Sequence, residues 1–250
     1  MSPTQLLNQL LVIFTGALCL FIAVQLGKRK LDNKGDRLAW LAFRIWWIGL
    51  GLTTAFGAVR VLMVVANIDS LDAYVWQGLL NTLVLCVALW GLLFYLLYLY
   101  TGNRRWALPL GIFYVLFYTG LVIYSFFVLK PQGVVLEGGV ATVQYAVEPA
   151  LAYSLVLITL VIAPQILATL AYFSLYFRLQ DRAQKYRVLL VSISILVWFG
   201  SPVLAFGLGV SQLPWWMWVS RLLTLAAVVV IYWAYYPPTF IQRRFGVESI

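Results

Sequence analysis

Apolar runs of about twenty residues alternate with short polar breaks along the chain, and this rhythm predicts its elements. Seven runs stand out, over roughly 5–26, 38–66, 74–100, 108–129, 147–177, 186–210 and 215–236. Each is long enough for an α-helix to cross the ~30 Å hydrocarbon core of a bilayer. The breaks read GKRKLDNKGDR, NIDSLDA, TGNRRWA, KPQGVVLEGGVATVQYA, RLQDRAQK and SQLP. The fourth is rich in Gly and Val, and residues 133–145 within it read as a short hairpin over the mouth of the bundle. Pro237 and Pro238 stop the last run. The tail, 237–250, mixes Phe240, Ile241 and Phe245 with Arg243 and Arg244, the pattern of a short helix lying on a membrane surface. The expected fold is all-α: a polytopic membrane protein with one domain of seven transmembrane helices and a short basic cytoplasmic tail.

Composition agrees with that pattern. Hydrophobic residues make up 64% of the 250 and charged residues only 10%, against ~25% charged in a soluble domain. The first run has no basic segment before it, so it reads as a span and not as a cleavable signal.

Charge placement sets the expected orientation. Lys28, Arg29, Lys30, Lys34, Arg37, Arg104, Arg105, Arg178, Arg182, Lys185, Arg187, Arg243 and Arg244 all fall on one side; only Lys130 falls on the other. Basic loops stay in the cytoplasm. The chain is therefore expected in the cell membrane with its N-terminus outside and its C-terminus inside. Trp and Tyr at the run ends, such as Trp40, Trp76, Trp106 and Tyr236, fit the aromatic belts that anchor spans at the headgroups.

Three arginines remain inside the runs: Arg44, Arg60 and Arg221. A charge at mid-membrane costs ~2.5–3.5 kcal/mol on insertion scales, so each needs a partner, a cavity or a route to water. Arg44 lies near the cytoplasmic end of its run and can snorkel. Arg60 follows Gly49, Thr53 and Gly57 at offsets that share one helical face, which points it into the bundle. Arg60, Glu148 and Arg221 fall at a similar outer depth, with Gln77 and Asn81 close to it. Together they are the candidate ligand-binding residues, a set suited to an anionic or zwitterionic ligand. The plainer reading is an interhelical ion pair that fixes helix register. Pro164 and Tyr172 on the fifth run and Pro202 on the sixth mark candidate switch helices. Gln165, Thr169, Tyr172 and Tyr176 continue a polar stripe there.

Several chemistries are excluded. The chain has no histidine, which disfavours haem, zinc and Ser-His or Cys-His catalysis. Every lysine lies outside the runs, so a retinal Schiff base has no partner. No acid lies deep in a run, which argues against proton pumping and intramembrane hydrolysis. Cys19 and Cys86, inside apolar runs, read as packing residues. No catalytic, cofactor or metal site is expected, and no nucleic-acid partner.

The layout resembles G-protein-coupled receptors in outline, but LYLYTGNRR stands where that family has D-R-Y, and YWAYYPPTF where it has N-P-x-x-Y. The chain looks more like the seven-span sensory modules of bacterial and archaeal signalling proteins, on the whole layout and on the YYPPTFIQRRFGV exit of prolines then arginines. That resemblance implies a receptor or sensor. The residues after Tyr236 are too few for an effector domain, so a cytoplasmic signalling partner is expected. A non-catalytic subunit of a larger membrane complex is the alternative, and a small-solute transporter the third choice.

Overall fold

The computed structural model describes residues 3–28, 34–137, 140–207 and 216–245. The chain is mostly α-helical and divides into two units, Met1–Leu160 and Val161–Ile250.

The first unit opens with three long helices, α1 (Pro3–Gly27), α2 (Lys34–Val65) and α3 (Leu71–Thr101). A 3₁₀ turn, Arg104–Trp106, leads into α4 (Ala107–Ile123), which runs on through a π turn, Tyr124–Leu129. Strands β1 (Pro131–Glu137) and β2 (Val140–Tyr145) then pair antiparallel, Val134 opposite Val143. The hairpin expected over 133–145 is there. Helix α5 (Ala150–Leu157) follows and passes through a second π turn, Ile158–Ile162.

The helix ends follow local chemistry. Ser70 starts α3, its hydroxyl accepting from the Ala73 amide at 3.3 Å. Gly102 ends α3 in the left-handed region at φ 62°, and its amide donates to the Tyr98 carbonyl at 2.8 Å.

Small residues bring the first three helices together. A methyl group on Gly51 of α2 would stand 2.7 Å from Leu20 Cγ of α1, and one on Gly16 of α1 would collide with Thr54 Oγ1 of α2. On the other side of α2, Gly49 lies against Ala88 of α3, and Gly91 of α3 lies against the Ala42 backbone. The backbones approach closely where side chains are missing. The resulting core includes Phe43, Trp47, Leu89, Leu92 and Phe94. The hairpin covers one end of the α2–α3 pair, with Val134 and Val143 packed on Met63 and Tyr74. That end is called the hairpin end here, and the opposite one, with Arg104 and Arg105, the arginine end.

The second unit holds α6 (Ala163–Arg178), α7 (Arg182–Gly207), α8 (Trp216–Tyr235) and a short α9 (Thr239–Phe245). Asp181 starts α7, its carboxylate accepting from the amides of Ala183 and Gln184. Helix α9 follows the proline pair, as the tail pattern predicts, and Gln242 Nε2 donates to the Pro237 carbonyl at 2.7 Å. Residues 246–250 of the tail lie outside the described residues.

The expectation of seven spans is corrected. Among the described residues, five helical stretches are long and apolar enough to cross a bilayer: Gln9–Gly27, Arg37–Val65, Leu71–Thr101, Arg104–Leu129 and Ala150–Arg178. Within α8, the stretch Val219–Tyr235 is apolar as well. Helix α7 carries Arg182, Lys185 and Arg187 in its first turns and is apolar beyond them. The last three residues of the run expected over 186–210 lie outside the described residues.

Candidate functional site

Arg44 turns out to have a structural task. Its Nε donates to the Ala23 carbonyl at 3.1 Å, and its guanidinium lies across Gly27, where a side chain would collide with it. Trp40 Nε1 donates to the Leu26 carbonyl at 2.7 Å. Both side chains thus serve the last turns of α1, where helical carbonyls lack partners and the dipole favours a cation.

Arg60 sits in another setting. Gln77, 7% exposed, donates from Nε2 to the Phe56 carbonyl of α2 at 2.7 Å. Its Oε1 is buried and has no partner. One turn along α3, Asn81 Oδ1 is also buried and unpartnered, and so are Thr53 Oγ1 and Arg60 Nε on α2. The Arg60 guanidinium reaches over Gly78 of α3, Nη2 standing 3.5 Å from where a Cβ would be.

Thr53, like Thr169 of α6, differs from most of the buried or partly buried Ser and Thr hydroxyls. Thr15, Thr82, Ser192, Ser194 and Thr224 each donate to the carbonyl four residues back, at 2.7–3.0 Å. Such back-bonding settles a hydroxyl inside its own helix. Thr53 makes no such bond. The α2–α3 seam therefore carries a cationic donor, two amide acceptors and a free hydroxyl toward the hairpin end. Gly57 does not join them. It lies ~80° around the helix from Gly49 and is exposed, with open space where its side chain would be.

The structure brings together Arg60, Gln77 and Asn81 of the expected ligand-binding set. Glu148 is exposed, between β2 and α5. Arg221 belongs to the second unit and is exposed on α8.

In the second unit, Pro164 and Tyr172 are buried on α6 with Ala168 between them. Gln165 Nε2 stands 3.9 Å from where a Cβ on Gly200 of α7 would be, so the stripe faces α7. Lys185 Nζ lies 5.8 Å from the Tyr176 ring centre. Ser192 and Ser194 are buried and donate within α7, to the Val188 and Leu190 carbonyls. Pro202 lies in α7, but its side chain is outside the described residues. Pro164 lies two residues after the end of the π turn Ile158–Ile162, and the boundary between the two units, Leu160 to Val161, falls inside that turn.

No group of histidine, cysteine or acidic side chains among the described residues is placed to hold a metal ion. No protein-family model matches the sequence, and no curated protein matches it.

Proposed function

We propose that the chain is a multi-pass protein of the cell membrane, N-terminus outside and C-terminus in the cytoplasm, acting as a receptor or sensor for a small zwitterionic or anionic ligand. The ligand sits at the α2–α3 seam under the hairpin. The observation that carries this reading is the row of buried, unpartnered polar atoms there: Thr53 Oγ1, Arg60 Nε, Gln77 Oε1 and Asn81 Oδ1. A buried polar atom left unpaired costs about 1–3 kcal/mol. Four on one seam form a binding surface waiting for complementary groups.

The chemistry narrows the ligand. Arg60 takes a carboxylate. The two amide oxygens need donors, so an ammonium or hydroxyl group on the same ligand completes the set. A zwitterion therefore fits better than a simple anion. The response passes along the continuous helix Ala150–Arg178, whose π turn and Pro164 supply a joint, to α6 and α7 and then to a cytoplasmic partner.

The test is a thermal-shift panel on the purified protein with acetate, succinate, glycine betaine, glutamate and serine. One zwitterionic member is expected to raise the melting temperature of the wild type and not of Arg60→Gln. A panel with no stabiliser, or equal shifts in both proteins, counts against the site.

A second reading rests on α4. Leu108, Val115 and Leu116 of α4 are each more than 60% exposed, a face that would serve a non-catalytic subunit packed against other membrane subunits. A stoichiometric partner retained in mild detergent would favour it.

A further inference from the structure

Two adjoining hollows of about 370 and 390 Å³ lie between α3 and α4 and share Trp90, Gly111 and Val115 as walls. Together they run from Ala107 to Tyr118. At 1.5 Å per residue that is ~17 Å, close to the depth of one leaflet of a ~30 Å hydrocarbon core. Trp90 Nε1 donates to the Ala107 carbonyl at 2.9 Å, which ties this groove wall to the start of α4. Gly111 lines the floor opposite it: a methyl group there would stand in ordinary contact, 3.6 Å from Trp90 Nε1, whereas a longer side chain would enter the groove.

The mouth of the groove is basic. Arg104 and Arg105, both exposed, form the 3₁₀ turn immediately before Ala107. No acidic residue occurs from Gly78 to Tyr118 along α3, the turn and the start of α4. The long axis, the apolar and aromatic walls and the paired cations at one end match a single kind of molecule.

We propose that this groove binds an anionic diacyl phospholipid, its phosphate at Arg104 and Arg105 and one acyl chain along Trp90, Gly111 and Val115. Basic turns at the ends of apolar helices attract anionic head groups. The proposal rests on the bilayer part of the reading above and not on the ligand seam.

The experiment is native mass spectrometry of the full chain in mild detergent, with phosphatidylglycerol or phosphatidylcholine added at equal amounts. Wild type is expected to retain phosphatidylglycerol in preference, by roughly fivefold for each arginine engaged. Arg104→Gln with Arg105→Gln changes only exposed side chains and should bring the two lipids level. Gly111→Leu fills the groove and should lower retention of both, with circular dichroism reporting that the helices persist. Release of the chain from membranes by alkaline carbonate would overturn both the bilayer reading and this site. Firm membrane retention with equal binding of the two lipids by wild type would overturn the site alone.

Discussion

Gln77 donates from Nε2 to the Phe56 carbonyl at 2.7 Å, and in doing so leaves its Oε1 buried without a partner. One amide both ties α3 to α2 and offers an open acceptor on the same seam. These two effects oppose each other in stability. Losing the hydrogen bond costs about 0.5–1.5 kcal/mol, while removing an unsatisfied buried oxygen relieves a penalty of similar size. Gln77→Leu is therefore expected to change unfolding stability by less than about 1 kcal/mol and to abolish ligand stabilisation. Denaturant titration in detergent and the thermal-shift panel measure the two separately.

Arg44 and Gly27 should behave as a pair. Arg44→Gln removes the cation from the last turns of α1 and the bond to Ala23, and is expected to destabilise by about 1–2 kcal/mol. Gly27→Ala pushes a methyl group into the guanidinium, whose flexible side chain can swing away from Ala23, and should cost no more than Arg44→Gln. The double variant should cost clearly less than the two together, because both changes disturb one contact. A double-mutant cycle on unfolding midpoints checks this.

The glycines of α2 separate in the same way. Gly49 is closed by Ala88, whereas Gly57 faces open space. Gly57→Ala should stabilise by about 0.4–1 kcal/mol through helix propensity. Gly49→Ala should destabilise by about 1–3 kcal/mol through overpacking. Equal effects at the two positions would contradict the packing described for α2 and α3.

Much of this was legible from the chain. Ser70 and Gly102 end their helices as residues of those types do, and the Gly- and Val-rich break holds its hairpin. Arg44 shows what was not. Its charge was visible, but its acceptor lies on another helix, on Ala23, twenty-one positions back. The grouping of Arg60 with Glu148 and Arg221 rested on depth along separate runs, and Arg221 falls in the second unit. The offset of Gly57 fell at the edge of a helical face, where pattern alone misjudged its exposure.

Pro164 should control the joint in the long helix Ala150–Arg178. Proline lacks the amide that would bond to the carbonyl of Leu160, and its ring crowds that carbonyl. Pro164→Ala is expected to restore the bond and raise amide protection across 158–164 in hydrogen exchange, with a weaker response to ligand. Unchanged protection there would remove the joint from the mechanism.

The most direct test of the ligand seam is a high-resolution experimental density map of the protein prepared with the stabilising member of the panel. The expected result is density for a small molecule touching Arg60 Nε and the amide oxygens of Gln77 and Asn81. Those atoms paired with one another, or satisfied by ordered water alone, would contradict it.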